Sequence, residues 1–522
     1  MGLPIVWLAL AALDAGPGGG LTASMLPIAL RDTGLLMASV GLVAGTLGLV
    51  AAWLVTHYDF PGRRMFEWAL MLPLAIPTYL AAYCFTELLD FTGPVQGVVR
   101  SLTGATVASD YWFPQIRSFP GAVLVLSLVL YPYVYAACRA FFLMQSGAAH
   151  AAARALGANG FRAFFAVTLP MSRPALVIGT TLAMMEVVND LGAVQYFGIN
   201  SLTAIIYSTW INRSNFGGAA QLAVTIVLVI ALLILAERAA RRAEAQVAGR
   251  DSRVADARIG LGGGRALVAT LGCLLLFLAA FGLPAGQLLY LASRQLTAAS
   301  LALTAAPFAT TLLLALGGAI VTVAIGLISA NLGRASSAPA RGAIRIATLG
   351  YAVPGTVLAL GLLQPLGAAD RAINGFTRWA LDWTPGLILS GSVAALLYVY
   401  AIRFLAVSHT NLSEAMTRRG ASMLDAGRVL GARRLDLFLR VDLPTLAPAL
   451  AAAATLVFVE IIKELPATLL LRPLGVETLA TVVYAKAQSA LFAETALPAL
   501  AIVAIGVVPV VLATQLGARR KV

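Results

Sequence analysis

Six polar residues lie inside two long apolar stretches of this sequence, where they could act on a charged molecule. They are Glu186, Asn189, Asp190, Glu460, Lys463 and Glu464. An ionisable side chain inside an apolar span costs roughly 2.5–3.5 kcal/mol, so such groups persist where they face water or a partner. Carboxylate oxygens suit hard cations. The six residues are therefore the candidates for an ion pathway, with no metal site firmly assigned.

The four acids form two matched pairs. The pairs are Glu186 with Asp190 and Glu460 with Glu464. A spacing of four residues predicts that each pair shares one helix face. Two interpretations stay open: the acids line a translocation pathway for a cation, or Lys463 pairs with Glu460 or Glu464 and Asn189 takes the equivalent neutral place, so that helices are locked together. The acids could also form an outer gate.

Two polar, basic segments with matched spacing interrupt the apolar chain, and we call them the docking motifs. Residues 151–174 read AAARALGANGFRAFFAVTLPMSRP, and residues 425–448 read DAGRVLGARRLDLFLRVDLPTLAP. Their matched residues are Ala151, Ala152, Gly157, Leu169 and Pro170 in the first motif and Asp425, Ala426, Gly431, Leu443 and Pro444 in the second. The repetition predicts two equivalent surfaces that contact a partner in water.

The residue types within the docking motifs support this prediction. A glycine lets the backbone turn or lets a partner approach closely. Proline disfavours helical geometry in the residue before it, so Pro170 and Pro444 are predicted to end a short helix. Apolar side chains at Phe161, Phe164, Phe165, Leu435, Leu437 and Phe438 supply surface that a partner groove could bury. The alternative is an amphipathic loop on the lipid surface, which the matched repetition disfavours.

The composition predicts an all-α membrane protein. Of 522 residues, 60% are hydrophobic and only 11% are charged, which is far from the average of soluble domains. Stretches of about twenty apolar residues can each cross the bilayer as a helix. We predict about twelve transmembrane helices in two homologous halves of six, with residues 1–237 as the first half, 238–265 as an Arg-rich cytoplasmic linker and 266–522 as the second half. Pro354 occupies in the second half the place of Pro77 in the first.

The charge distribution predicts the orientation of the chain. The net charge is +13, and the basic residues are scattered over short loops, which argues for orientation in a membrane and against nucleic acid as a partner. Placing both termini in the cytoplasm puts both docking motifs, the linker and the basic C-terminal tail on the same side. The first predicted span, Leu3 to Leu13, is short, and we interpret it as a truncated or shallow helix.

Residues typical of catalysis or of metal binding do not cluster in the sequence. The cysteines and histidines are Cys84, Cys138, Cys273, His57, His150 and His409, and none has metal-ligand spacing. No phosphate-binding loop of the Gly-x-x-x-x-Gly-Lys-Ser/Thr type occurs. We therefore predict no catalytic residue and no cofactor bound by this chain. Tyr207 and Trp210, with Tyr484 as the mate of Tyr207, are predicted to anchor at the membrane interface or to line a pore mouth.

The docking motifs resemble the cytoplasmic loop of the membrane subunits of binding-protein-dependent ABC importers. That loop has Glu-Ala-Ala, three residues, a Gly and a distal Leu-Pro, and here Ala151 stands in place of the Glu while Asp425 and Gly427 replace Glu and Ala. The resemblance implies a type I importer permease fold. It also implies a cytoplasmic ABC ATPase dimer, which binds ATP and Mg and grips the two motifs.

Longer strings resemble the fused permeases of the ferric iron importer family. They are YDFPGRRMFEWALMLPLAIPTYLAAYCF, MMEVVNDLGAVQYFGINSLTAIIYSTW and VEIIKELPATLLLRPLGVETLATVVYAKA. This resemblance implies a periplasmic iron-binding protein as donor and a place in the bacterial inner membrane. Thiamine permeases share the fused plan, and putrescine, sulfate and molybdate permeases share the motif. Two rival classes are a secondary transporter, in which the acids bind protons or sodium, and a membrane scaffold.

Overall fold

The computed structural model describes residues 2–16, 20–144, 153, 155–244, 258–335, 338–419, 429, 431 and 433–519. Of the ten matched residues of the docking motifs, four lie outside the described residues: Ala151, Ala152, Asp425 and Ala426. Within the described ranges the chain is almost entirely helical, and its only strands are two short segments, Tyr58–Asp59 and Ile259–Gly260, which pair in parallel. The prediction of an all-α fold is confirmed.

Nine helices among the described residues are long and apolar enough to cross a membrane. They are Ser24–His57, Phe119–Met144, Phe164–Asn189, Phe216–Ala239, Gly263–Gln295, Ala298–Gly333, Val393–Arg418, Phe438–Lys463 and Phe492–Val510. Two bent helix pairs raise the number to 11 if each pair is one span. The chain is a multi-pass membrane protein.

The helices follow the predicted order of spans, but the third and ninth, predicted as continuous from Glu67 to Leu89 and from Ile344 to Leu363, are each broken into two helices, and other spans differ in their bounds. The predicted first span is a helix of 13 residues, Gly2–Asp14, which is shorter than the spans above. The fifth span begins at Phe164 rather than near Pro174, and the eleventh begins at Phe438 rather than near Ala449. Sequence reasoning placed both starts too late because it took the Leu-Pro pairs as helix ends.

Both bent pairs break at the prolines that the two halves share. Arg63–Ala75 meets Thr78–Thr103 at 95°, and Arg341–Ala352 meets Gly355–Leu381 at 116°. The residues before Pro77 and Pro354 are Ile76 and Val353, and both have extended backbones. Proline disfavours helical geometry in the preceding residue, and at these two positions each helix stops and restarts in a new direction.

The described chain forms two compact units, and each unit takes segments from both halves of the sequence. One unit contains Met1–Gly19, Thr209–Val224 and Thr297–Val483, and the other contains Gly20–Ser208, Thr225–Leu296 and Tyr484–Val522. The first helix and the last helix therefore each pack with the opposite half of the sequence. The division at residues 238–265 remains a prediction about the sequence.

Small residues allow helices to approach closely within each unit. In one unit, Gly48 and Gly179 both face Val134, and a Cβ at either glycine would lie 2.6 Å from an atom of that valine. In the other, Gly361 faces the helix Gly2–Asp14: a Cβ at Gly361 would lie 2.6 Å from the carbonyl oxygen of Pro4. Nearby, Trp7 Nε1 donates to Gln364 Oε1 at 3.0 Å. Such contacts are typical of packing between membrane helices.

We expect Gly361→Val to destabilise the protein, because the new side chain would push the helix Gly2–Asp14 away from Gly355–Leu381. Overpacking of this kind costs about 1–3 kcal/mol, and thermal unfolding of the purified protein in detergent would measure it as a lower Tm. Gly375→Ala is the matched control, since no heavy atom lies within 4 Å of a Cβ there. Equal Tm values for the two variants would contradict the close approach.

Candidate functional site

The two docking-motif glycines adopt the left-handed backbone conformation. Gly157 has φ 85° and Gly431 has φ 79°, and no heavy atom of the residues that the structure describes lies within 4 Å of a Cβ built on either. The N–H of Ala158 donates to the carbonyl of Ala153 at 3.0 Å, which is the bond that closes a helix at a left-handed glycine. Glycine is therefore required here for its backbone conformation, and the space around it is open to a partner.

The prediction that Pro170 and Pro444 end short helices is wrong. A helical run continues from Gly160 to Asn189 through one π-helical turn, Phe164–Thr168, placed directly before Leu169. The second motif has the same arrangement from Arg434 to Lys463, with its π-helical turn at Phe438–Asp442. We call the segments Leu169–Asn189 and Leu443–Lys463 the acidic helices.

The widened turn explains how proline is accommodated. The N–H of Leu169 bonds to Phe164 O, five residues back, instead of four. Proline in a regular helix would clash with the carbonyl four residues back, and an inserted π-helical turn relieves this conflict. The same pattern occurs at Leu278–Gly282, followed by Leu283 and Pro284. At these three Leu-Pro pairs the helix widens and continues.

The apolar residues around the docking motifs divide into core and surface. Phe164 is buried and its ring lies 4.6 Å from that of Trp53, and Leu437 is also buried. Leu156 and Val429 are almost fully exposed, and Phe165 is half exposed. The exposed residues leave apolar surface for a partner beside each left-handed glycine.

A cavity of about 1290 Å³ adjoins the first docking motif. Its walls include Gly157–Gly160, Trp53 and Tyr58. The opposite wall is the segment 259–272, which is anchored by the parallel bridge to Tyr58–Asp59 and by Thr270 Oγ1, which donates to Pro61 O at 3.1 Å. The end of the linker is therefore fixed next to this motif.

In the first half, Asp190 lies just beyond the end of its acidic helix. The helix ends at Asn189, and Asp190 has an extended backbone with φ −68° and ψ 130°. Its Oδ1 accepts hydrogen bonds from the N–H groups of Ala193 at 2.8 Å and Val194 at 3.2 Å, and its carboxylate also bonds the hydroxyl of Thr78. The carboxylate is buried and joins the starts of two helices.

In the second half, Glu464 has the matching position. Its acidic helix ends at Lys463, and Glu464 is extended with φ −69° and ψ 114°. Oε1 accepts from the N–H of Ala467 at 2.9 Å, and Oε2 lies 3.0 Å from Nε of Arg403 in a buried ion pair. Arg403 also donates from Nη1 to Val353 O at 3.3 Å.

These positions correct the prediction that each acid pair shares one helix face. Of the four acids, only Glu186 and Glu460 lie within helices. Lys463 pairs with Glu460, with Nζ 2.9 Å from Oε1. Both residues belong to the helix Leu443–Lys463, so this pair does not join two helices. Asn189 is buried, and its Oδ1 accepts no hydrogen bond from the part of the chain that the structure describes.

The acids therefore differ in burial. Asp190 and Glu464 are only 6% and 5% exposed and are held by the bonds above. Glu186 and Glu460 are half-buried. The role of all six residues in a pathway remains a prediction, but the half-buried acids are the ones that a passing ion could reach.

Arg403 and Thr78 are site residues that sequence reasoning missed. Arg403 stands alone in the apolar run LLYVYAIRFLAV, and an isolated cation in a membrane span signals a buried partner. That signal would have pointed to an acid. Thr78 gives no comparable signal, because a threonine after a proline is common in any helix start.

The matched tyrosines Tyr207 and Tyr484 meet each other. Their hydroxyls are hydrogen-bonded, and Tyr484 also donates to Gln195 Oε1 at 2.6 Å. Within the described residues no three His, Cys, Asp or Glu side chains form a group that could hold a metal ion.

Comparison with known proteins identifies relatives along nearly the whole chain. Residues 44–247 match the family described as "Binding-protein-dependent transport system inner membrane component". The chain is 24% identical over 499 residues to the Fe(3+)-transport system permease protein FbpB 2 of Haemophilus influenzae, covering 92% of this chain and 88% of that protein. It is 29% identical over 201 residues to the molybdenum transport system permease protein ModB of Escherichia coli, covering 37% of this chain and 84% of that protein.

A third relative is the sulfate transport system permease protein CysW of Escherichia coli, which is 32% identical over 147 residues, or 28% of this chain and 47% of that protein. These relatives are permease subunits. Residues 44–247 are thus similar to the inner membrane components of binding-protein-dependent transport systems, and the chain along most of its length resembles a ferric iron permease.

We expect Arg403→Met to destabilise the protein strongly, because it leaves the buried Glu464 without its counter-ion. Breaking a buried pair costs about 3–5 kcal/mol, which thermal unfolding in detergent would detect. Arg418→Met removes an exposed ion pair with Glu414, at 3.2 Å, and is the matched control with a cost of about 0–1 kcal/mol. Similar stability of both variants would contradict the buried pair.

Proposed function

We propose that this chain, as a fused two-half permease, forms the complete membrane core of an ATP-driven importer whose cargo is ferric iron delivered by a periplasmic binding protein. The observation that carries the importer mechanism is the repeated docking motif with its left-handed glycine at Gly157 and Gly431. The cargo assignment is supported by the resemblance to an Fe(3+) permease along 92% of the chain. The molybdenum and sulfate permeases resemble shorter stretches, which supports the class of transporter.

The energy is supplied by a separate subunit in this proposal. The sequence contains no phosphate-binding loop, so we assign ATP and Mg to a cytoplasmic ABC ATPase dimer that contacts the two docking motifs. The exposed Leu156, Phe165 and Val429 supply apolar contacts to it. A bound partner would fill the open space beside the two glycines.

Transport follows from alternating access. Closure of the ATPase dimer moves both docking motifs. After its glycine, each motif continues as one helical run into an acidic helix that crosses the membrane. A continuous helix transmits a displacement at one end to the other. The motion therefore reaches Asp190 and Glu464 at the far ends of the acidic helices.

The half-buried acids are the proposed contacts for the cargo. Glu186 and Glu460 place carboxylate oxygens on corresponding turns of the two acidic helices, and oxygen ligands suit a hard cation. Lys463 lies 2.9 Å from Glu460 and offsets part of its charge. A partly neutralised site binds a highly charged ion weakly enough for release.

We place the protein in the bacterial inner membrane with both termini in the cytoplasm. The excess of Lys and Arg in the loops on the side of the docking motifs supports this orientation. A gradient-driven secondary transporter is the rival function, because such carriers also place acids in their spans. An ATPase that copurifies in detergent supports the importer, and proton-coupled uptake by the chain alone supports the rival.

Replacing Gly157 or Gly431 with valine is expected to uncouple transport while the protein still inserts into the membrane. A β-branched residue strains a left-handed backbone by roughly 1–2 kcal/mol and displaces the docking surface. Uptake in vesicles containing the ATPase and the binding protein would fall several-fold. The asparagine variants should retain more uptake, since Asn tolerates this conformation.

Gly286→Ala provides the control, because Gly286 lies within a helix outside the cavity beside the first motif and has no heavy atom of the described residues within 4 Å of a Cβ. Normal uptake in both valine variants would count heavily against docking at these glycines.

The cargo is tested by uptake of radiolabelled ferric iron, thiamine, molybdate and sulfate into vesicles that contain the chain with its ATPase and binding protein. We expect ATP-dependent uptake of iron alone. Glu186→Gln and Glu460→Gln should then raise the KM for iron by removing carboxylate charge from the pathway. Transport of an oxyanion or thiamine in place of iron would refute the cargo assignment and leave the importer class standing.

A further inference from the structure

The buried acids Asp190 and Glu464 have the same backbone surroundings in their two units. Each lies one residue after an acidic helix, and each accepts a hydrogen bond from the N–H three residues later, Ala193 at 2.8 Å and Ala467 at 2.9 Å. These N–H groups belong to the first turns of the short helices Gly192–Tyr196 and Pro466–Leu471. Each acid thus caps the helix that follows it.

Each acid also meets the start of a bent helix. Asp190 bonds the hydroxyl of Thr78, the first residue after Pro77. Glu464 lies beside Gly355, the first residue after Pro354, where a Cβ would be 2.5 Å from its Oε1. Helix N-termini attract negative charge, so both acids are held where two helix N-termini converge.

The residues around the two acids differ in a compensating way. Glu464 is one methylene longer than Asp190, and the residue facing it has no side chain: Gly355 replaces Thr78. The extra counter-ion, Arg403, takes the place of a buried valine, Val129, at the same position of the matching helix. The two halves therefore differ at three positions together. Asp190 is bonded to the bent helix directly through Thr78, and Glu464 is linked to the bend through Arg403, which donates to Val353 O.

This arrangement lies at the end of the route that starts at the docking motif. The helical run from Gly160 to Asn189 is roughly 45 Å long at 1.5 Å per residue, and it joins the docking motif to Asp190. The run from Arg434 to Lys463 joins the second motif to Glu464. A displacement of either motif is thereby delivered to the bend at Pro77 or Pro354.

We propose that Asp190 with Thr78, and Glu464 with Arg403, are positioning residues that fasten each acidic helix to the bent helix beside it, and so pass the motion of the docking motifs to the pathway. Cargo contacts then belong to Glu186 and Glu460. This inference rests on the proposed importer function but not on the identity of the cargo. It assigns Asp190 and Glu464 to the transmission of motion, and Glu186 and Glu460 to contact with the cargo.

The test exchanges the first-half set of residues into the second half. Gly355→Thr alone places a side chain against Glu464, and we expect uptake to fall about tenfold while basal ATP hydrolysis continues. The triple variant Gly355→Thr, Glu464→Asp, Arg403→Val reproduces the set of Thr78, Asp190 and Val129. It should recover uptake to within about threefold of wild type.

The readout is the number of ATP molecules hydrolysed per cargo molecule, together with the KM for the loaded binding protein. A fastening role predicts more ATP per cargo in Gly355→Thr and in Glu464→Gln, with the KM unchanged. Glu494→Gln, which removes an exposed ion pair with Lys486 at 2.8 Å, is the control and should leave both values unchanged. Glu464→Gln keeps the size of the side chain and serves if Gly355→Thr does not fold.

Two outcomes would overturn the proposal. One is a triple variant no more active than Gly355→Thr, and the other is a Glu464→Gln variant whose KM rises while its ATP per cargo stays constant, which would make Glu464 a cargo contact. The assay uses whichever cargo the wild-type complex transports. Failure of the wild-type complex to take up iron therefore refutes the cargo assignment without touching this inference.

Discussion

The backbone N–H and C=O groups that this chain carries into the bilayer must be hydrogen-bonded inside the protein. This constraint decides where its helices can break. Unpaired N–H and C=O groups cost several kcal/mol each in hydrocarbon. The chain nevertheless breaks helices at Pro77, at Pro354 and after both acidic helices. At the last two breaks a buried carboxylate accepts the N–H groups that the next helix leaves free.

The carboxylates accept hydrogen bonds from the free N–H groups, but they also bring negative charge into the buried interior. Asp190 is stabilised by a hydroxyl and two N–H groups, whereas Glu464 has a full counter-ion in Arg403. Gly355 leaves room for the longer side chain of Glu464. The guanidinium of Arg403 needs further hydrogen-bond acceptors, and Val353 O is one of them. In both halves a buried carboxylate accepts the free N–H groups of the next helix. The two halves balance the charge of that carboxylate differently.

The sequence predicted those features that depend on local rules, and it failed where a choice depended on packing. The spans follow from apolar length. The bends at Pro77 and Pro354 were not predicted, because a span can continue through a proline where its neighbours bond the freed backbone groups, and the structure breaks both spans instead. The end of the first acidic helix could not be predicted, because Glu186 to Asp190 fits helical spacing and nothing local marks Asn189 as the last residue. In the second half Pro466 gives a local signal, and the helix ends close to it, at Lys463. The π-helical turn before Pro170 was missed for a related reason: proline permits either a helix end or a widened turn, and only the surrounding packing selects between them.

The choice of a widened turn over a helix end has a mechanical consequence. A helix that ended at Pro170 or Pro444 would meet its acidic helix through a flexible joint, and a pull on the docking motif would be lost in bending that joint. A π-helical turn keeps the backbone hydrogen-bonded through the proline, so the two segments move as one. The left-handed glycines at Gly157 and Gly431 provide the turn on the other side of each short helix. The change of chain direction is thereby placed before the helix and not at the proline.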